Sequence, residues 1–159
     1  MKNYRLLLVG LGASISLMAV GCQSETVEPN TEPPVSSKHS AECLVYTDLN
    51  SALKTPKEVC ELNVRGQGIT GALPSQIGAL ENLKVLNISD NNMTGLPAEL
   101  GQLTQLEVLD ASNNQLSGLP MELGNLNNLR EFNLKGNPFS EQDLAEIVKK
   151  IPQAMVVTK

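Results

Sequence analysis

A repeat with a period of 23 residues constrains this chain more than any other feature. Hydrophobic residues recur at three positions of each copy: Leu83, Leu106 and Leu129; Leu86, Leu109 and Phe132; Ile88, Ala111 and Leu134. A 24-residue copy begins earlier, at Val59. Within each copy the apolar residues alternate over a short stretch, as in a strand with one buried face. A single copy cannot bury its apolar side alone, so the copies must stack, and about three are needed for stability.

The copies also share a turn segment. Gly95-Leu96-Pro97 recurs as Gly118-Leu119-Pro120, and each proline interrupts regular strand pairing there. The pattern LxxLxLxxNxL with a Gly-x-Leu-Pro segment resembles the leucine-rich repeat in its 23- to 24-residue form. The resemblance covers residues 59–139, divided as 59–82, 83–105, 106–128 and a partial copy at 129–139. It implies an α/β solenoid: a short right-handed coil with a parallel sheet on its concave side and a helical cap at each end.

One polar position recurs inside the repeat. Asn91, Asn114 and Asn137 stand in the same register, at the point where the chain leaves the predicted strand. Their side chains can bond backbone groups there, so stacked copies predict a ladder of amides inside the coil. Gln67 holds this position in the first copy and, because it departs from asparagine, is expected to fit less well.

The N-terminus, residues 1–21, is typical of a secretory signal. Lys2 and Arg5 precede an uncharged apolar run from Leu6 to Val20, which is short for a membrane span. The run ends in Ala19-Val20-Gly21-Cys22, which resembles the lipobox of bacterial lipoproteins. That resemblance implies cleavage before Cys22 and acylation of its thiol, which would anchor the chain to a membrane. An ordinary cleaved signal with a chance cysteine is the alternative.

A polar tether follows over residues 22–40. It contains three prolines and three glutamates with almost no aliphatic residues, so it is predicted to remain an extended, flexible spacer. Gln23 after the cysteine resembles an outer-membrane sorting signal of enteric lipoproteins. We therefore expect location in the bacterial cell envelope, in the outer membrane, with the periplasmic or surface face left open.

The N-terminal cap is predicted over residues 41–58. A short helix is expected from Thr47 to Lys54, with Thr47 as its capping residue and Leu49 and Leu53 covering the first coil. Cys43 and Cys60 are an even pair in an exported chain, which favours a disulfide between the cap and the first strand. Two reduced thiols are the alternative, and a metal site is less favoured because two thiols supply too few ligands.

The C-terminal cap is predicted over residues 140–159. Ser140 and Asp143 have the spacing of a capping box, and apolar residues follow at helical spacing as far as Ile151. Pro152 ends this helix, and residues 155–157 are expected to add an edge strand.

Composition and motifs argue against several classes of function. The chain carries 12 Lys and Arg against 17 Asp and Glu, a net charge of −5, which disfavours nucleic-acid binding. The segment from Gly66 to Gly71 matches GxGxxG, but Gln67 and Ile69 hold repeat positions and no long helix follows, so nucleotide binding is rejected. The single histidine, His39, lies in the tether and leaves the repeats without a base for nucleophilic catalysis. No enzyme activity, cofactor or metal is expected.

The outward positions of the strands form the predicted binding surface. We expect Val85 and Val108 to point at solvent side by side, with polar residues around them. The predicted surface comprises Arg65, Val85, Asn87, Ser89, Val108, Asp110, Ser112, Glu131, Asn133 and Lys135. A small apolar centre with a polar rim is typical of a protein-binding patch. Exposed valines also suit any strand, so the pair by itself does not establish a site.

These features predict a lipid-anchored envelope protein that binds a protein partner on its concave face without catalysis. The resemblance supplies that function by analogy, since a fold does not fix a function. Two alternatives remain at this point: adhesion to glycan, cell wall or a host surface, and a structural role as an accessory subunit of an envelope complex. The small number of aromatic residues argues against glycan binding.

Overall fold

The structure is a computed structural model that describes residues 43–159. The predicted signal, Cys22 and the whole of the tether fall among residues 1–42 and lie outside the described residues. Within residues 43–159, no helix has the length and hydrophobicity needed to cross a membrane.

Short strands and short helices alternate along the described chain. In chain order they are β1 (Leu44–Tyr46), α1 (Leu49–Ala52), β2 (Val59–Asn63), β3 (Thr70–Gly71), β4 (Val85–Asn87), β5 (Asn92–Met93), β6 (Val108–Asp110), β7 (Glu131–Asn133), α2 (Glu141–Lys150) and β8 (Met155–Val157). The main sheet is parallel, with six strands in the order β1-β2-β4-β6-β7-β8. A second sheet pairs β3 with β5 in parallel. This is the α/β solenoid that the repeat predicts.

The strand register follows the repeat. Leu62 lies opposite Leu86, Leu86 opposite Leu109, and Leu109 opposite Phe132. All four side chains are fully buried. Ten further repeated positions are also buried: Leu83, Leu106, Leu129, Ile88, Ala111, Leu134, Leu100, Leu103, Leu123 and Leu126. The predicted alignment of the copies is therefore confirmed, and the core runs through all the coils.

On the side away from the main sheet, each of the three full coils carries a 3₁₀ helix. These helices span Ser75–Ala79, Ala98–Gln102 and Met121–Asn125, and each begins directly after a proline. They stack closely: a Cβ atom on Gly101 would overlap the carbonyl of Glu122 in the next coil. The glycine of the repeat therefore sets how closely these helices approach each other.

The N-terminal cap differs from its prediction in two ways. Residues Leu44–Tyr46 form β1, an additional strand of the sheet that the sequence did not predict. The helix is capped by Asp48, whose carboxylate accepts from the Ser51 N–H at 2.7 Å, so Thr47 is not its cap. Leu49 and Leu53 pack against the core as expected. A disulfide joins Cys43 to Cys60, with the Cα atoms 5.5 Å apart.

The C-terminal cap follows its prediction closely. Ser140 caps α2 by accepting from the Asp143 N–H at 3.3 Å, but the Asp143 carboxylate accepts from the Leu119 N–H, also at 3.3 Å, instead of completing a capping box. Ile147 and Ile151 are fully buried against the last coil. β8 pairs with β7, as the predicted edge strand should.

Candidate binding surface on the concave sheet

The central row of the sheet places two valines side by side. Val85 pairs with Val108 in register, which confirms their predicted adjacency. Each is half-buried, because its own sheet neighbours cover part of the side chain. In spatial order the row reads Val45, Glu61, Val85, Val108, Glu131 and Met155. The apolar pair is therefore flanked by a glutamate on each side, with Met155 exposed by 63% at the edge.

A second row, two residues further along each strand, is polar. It contains Asn63, Asn87, Asp110 and Asn133 and ends at Val157. In the two central strands the side-chain oxygen accepts from the serine two residues on: Asn87 Oδ1 from both the N–H (3.0 Å) and the hydroxyl (2.7 Å) of Ser89. Asp110 Oδ1 accepts from Ser112 in the same way. These bonds hold the second row in a fixed orientation on the sheet.

The structure excludes Ser89 and Ser112 from the predicted binding surface. They were expected to point at solvent, but they are only 2% and 7% exposed. The reason is that each hydroxyl turns back to donate to the second-row side chain. They support Asn87 and Asp110 and are not available for contact with a partner. Arg65 and Lys135, at the same position in the first and last repeats, are exposed as predicted.

The structure reveals a polar corner that the sequence did not predict. Asp90 and Asn113 follow the serines, and both have left-handed backbones with φ of 56° and 54°. Asp90 accepts from Asn113 Nδ2 at 2.7 Å and from Arg65 Nε at 2.6 Å. These two contacts, the asparagine first, hold the pKa of Asp90 below its ordinary value. A signal was present in the sequence, since Gly66 and Gly136 occupy the same position in the outer copies and also have positive φ.

The amide ladder forms beneath this corner. Asn91 accepts from the Ile69 N–H and donates to three backbone carbonyls, those of Val64, Ile88 and Ser89, all at 3.0–3.1 Å. Asn114 makes the corresponding four bonds in the next coil. Asn137 accepts from one N–H and donates to two carbonyls. The ladder thus fixes the turn at the end of each strand, and so the direction in which the concave side chains point.

Gln67 does not join the ladder, which corrects its assignment to that set. It is exposed, and its amide donates to the Thr47 carbonyl at 2.6 Å in the N-terminal cap. The longer side chain lies outside the coil, as its poorer fit predicted. Gly66, Gly68 and Gly71 around it have positive φ, and the segment enters β3 instead of a long helix. The rejected GxGxxG match is therefore a turn of the first coil.

On the concave side, the two central rows carry acidic side chains and the flanking rows carry the basic ones. Glu61, Glu131 and Asp110 lie in the two central rows, and within residues 43–159 no cationic group lies within 4 Å of their carboxylates. Arg65 contacts Asp90, and Arg130 contacts Glu107 at 3.6 Å, in the flanking rows. The described chain contains no cluster of three metal-ligating side chains. This surface can contact a partner through one apolar pair and fixed polar groups.

Comparison with known proteins supports the same architecture. A family model described as a leucine-rich repeat region matches residues 61–154, which is more than half of the chain. No curated protein matches the sequence.

Among solved structures, a leucine-rich-repeat protein of Leptospira interrogans is 37% identical with a TM-score of 0.63, covering 69% of this chain and 28% of that one. The ectodomain of the Arabidopsis thaliana receptor kinase GASSHO1/SCHENGEN3, in complex with CASPARIAN STRIP INTEGRITY FACTOR 2, is 31% identical with a TM-score of 0.57, covering 71% and 14%. The BIR2 ectodomain from the same plant is 26% identical with a TM-score of 0.52, covering 61% and 52%.

This chain spans less than a third of the length of the Leptospira protein that it resembles. The family model, the structural neighbours and the observed register agree on the same repeats. The chain belongs to the leucine-rich-repeat family.

Proposed function

We propose that this chain is a lipid-anchored protein of the bacterial cell envelope that binds a protein partner through its concave sheet, without catalysis. The observation that carries the proposal is the adjacent pair Val85 and Val108 at the centre of the sheet. Fixed polar groups of the second row border it on one side. A partly desolvated apolar centre with oriented hydrogen-bonding groups around it has the composition of a protein interface.

The family supports a binding role. Leucine-rich repeats typically act as protein interaction modules, and one neighbour is a receptor ectodomain in complex with CASPARIAN STRIP INTEGRITY FACTOR 2. Within residues 43–159 the main sheet has six strands where four repeats alone would supply four, because each cap contributes one. The caps therefore enlarge the surface on which a partner can bind.

Site-specific photo-crosslinking in cells tests this role. A photoreactive residue replaces Asn87 on the concave sheet or, as the control, the exposed Asn125 in the last 3₁₀ helix. We expect one adduct of fixed mass from position 87, none from position 125, and loss of that adduct when Val108→Asp is added. Equal adducts at both positions, or an adduct that survives Val108→Asp in a protein of unchanged circular dichroism, would contradict the proposed surface.

The lipid anchor rests on the sequence around Cys22 and is tested separately. Cells that express the chain incorporate an alkyne-labelled palmitate, and the Cys22→Ser variant should lose that label. Label that persists in the variant contradicts the anchor. Protease treatment of intact and lysed cells then distinguishes a surface-exposed domain, digested on intact cells, from one on the periplasmic face, digested only after lysis.

A further inference from the structure

We infer that the partner presents an extended segment with two basic side chains four residues apart and an aliphatic side chain midway between them. This inference rests on the proposed function, because it specifies what the concave sheet recognises. It comes from the central row, in which Glu61 and Glu131 flank Val85 and Val108. The partner that complements this row is a basic and apolar peptide segment of a protein.

The charge on the central rows is unbalanced. Glu61 and Glu131 in the first row and Asp110 in the second are half-buried, and no Lys or Arg within residues 43–159 lies within 4 Å of their carboxylates. The carboxylates of Glu61 and Glu131 are therefore acceptors for cations of a partner, and so is Oδ2 of Asp110, whose Oδ1 already accepts from Ser112. A lysine or arginine placed there forms a charge-assisted hydrogen bond, which is stronger than a neutral one.

The basic groups of this face lie in the flanking rows, and two of them already form ion pairs within the chain. Arg65 is bonded to Asp90 and Arg130 to Glu107. Lys84 precedes the central row, and Lys135 lies beyond the second row at the rim; both are exposed. The cations therefore border the acidic centre on both sides and disfavour a basic segment that lies outside the central row.

The spacing of the row fits an extended peptide that crosses the strands. Neighbouring strands lie about 4.8 Å apart, so Glu61 and Glu131, separated by three such steps, are about 14 Å apart. An extended peptide advances about 3.3 Å per residue, and residues i and i+4 on one face are about 13 Å apart. Residue i+2 faces the same way and then lies over the two valines.

Panning a random heptapeptide library on the full chain in detergent tests this inference. We expect enriched peptides to carry Lys or Arg at i and i+4 with Val, Ile or Leu at i+2. Synthetic copies should bind the double variant Glu61→Gln, Glu131→Gln about 2- to 25-fold more weakly, since each exposed ion pair contributes about 1.4- to 5-fold. The matched control, Glu81→Gln with Glu122→Gln, removes two exposed carboxylates outside the concave rows and should not change binding.

The outcomes separate this inference from the proposed function. Enriched peptides without the basic spacing, or with equal affinity for both double variants, overturn the inference; if Val108→Asp still abolishes their binding, the concave surface stands. Binding that survives Val108→Asp overturns both. A library that yields no enriched peptide also overturns the inference, because a preformed row of this chemistry should select one.

Discussion

The central coils and the two ends of this molecule are stabilised by different interactions. In the centre, Asn91 and Asn114 are each 6% exposed and make four bonds to the backbone of their own and adjacent coils. At the N-terminal end, Gln67 is exposed and bonds the cap. A central coil has a similar neighbour on each side, whereas an end coil has one. The comparison shows that the ladder is complete in the central coils, falls to three bonds at Asn137 in the last copy, and is absent at Gln67 in the first.

The ends compensate with features that do not repeat. The N-terminal end has a disulfide, an additional strand and the half-buried Leu49 and Leu53. The C-terminal end has α2, with Ile147 and Ile151 fully buried and β8 continuing the sheet. With few coils, these caps cover a large part of the apolar surface that a longer solenoid would bury internally. Substitutions in the centre and at the ends should therefore differ in size and in kind.

The largest difference is expected in the apolar core. Leu109 is fully buried between two coils, so Leu109→Ala should lower the free energy of unfolding by about 2–5 kcal/mol. Leu49→Ala in the cap should cost less, since Leu49 is only half-buried and leaves a smaller cavity. Urea denaturation followed by circular dichroism measures both values. Equal losses of stability would show that the cap is packed as tightly as the centre and would contradict the proposed difference between them.

At the N-terminal end, where the ladder is absent, a disulfide joins the cap to the first strand of the repeats. Closing a loop of this length, with a sequence separation of 17, stabilises by about 3 kcal/mol in the chain-entropy model. The double variant Cys43→Ser, Cys60→Ser should lose about that much stability, again in urea denaturation. Two free thiols in the non-reduced wild-type chain, counted by alkylation and mass spectrometry, would contradict the pairing.

The ladder position distinguishes centre from end directly. Asn91→Ala leaves the Ile69 N–H and the Val64 carbonyl without their partner in a buried turn, and we expect a loss of about 2–3 kcal/mol. The carbonyls of Ile88 and Ser89 each lose one of two donors. Gln67→Ala removes one exposed bond at the same repeat position and should cost less than about 0.5 kcal/mol. Thermal denaturation of the two variants measures the stability that each one loses. A similar loss for both would mean that the first coil depends on its glutamine as much as the next coil depends on Asn91.

The sequence predicts the centre better than the ends for the same physical reason. A 23-residue period aligns Leu86 with Leu109 without further information, and the structure confirms that register. The cap has no second copy to compare with, so β1 was missed and Thr47 was taken as the helix cap in place of Asp48. A short strand and a choice between two adjacent capping residues depend on tertiary contacts that no internal repeat reveals.

The concave surface was predictable only in part. Strand alternation places Val85 and Val108 on it correctly, but it also placed Ser89 and Ser112 there. Those serines lie past the end of each strand, where the chain turns and the alternation no longer holds. Asp90 was missed because its role depends on a left-handed backbone and on partners 23 and 25 residues away in sequence.

Close stacking of the 3₁₀ helices allows a matched test within the repeat. A methyl group on Gly101 would overlap the Glu122 carbonyl, so Gly101→Ala should lower the free energy of unfolding by about 1–3 kcal/mol. Gly95, in the same coil, has no atom within 4 Å of its Cβ direction, and Gly95→Ala should be neutral or slightly stabilising. Urea midpoints of the two variants give the comparison. Equal effects would mean that the change at Gly101 does not arise from overlap with the Glu122 carbonyl.

The smallest effect concerns acid stability, where a central and an end carboxylate can be compared. Asp90 is held below its ordinary pKa by Asn113 and Arg65, and Asp48 is held below its ordinary pKa by its bonds to Ser51. A depressed carboxyl pKa stabilises the fold above the unfolded value, about pH 4, and that contribution is lost as pH falls through the folded value.

Asp90→Asn and Asp48→Asn should therefore each flatten the loss of stability below about pH 4 and leave the slope between pH 5 and pH 7 unchanged. Melting temperatures between pH 2 and pH 7 measure this. Because Asp90 lies at the corner between two coils and Asp48 caps a single short helix, only Asp90→Asn should also move Arg65, visible as a changed chemical shift of its Nε. A response of Arg65 to both variants would show that the corner and the cap are coupled through the first coil.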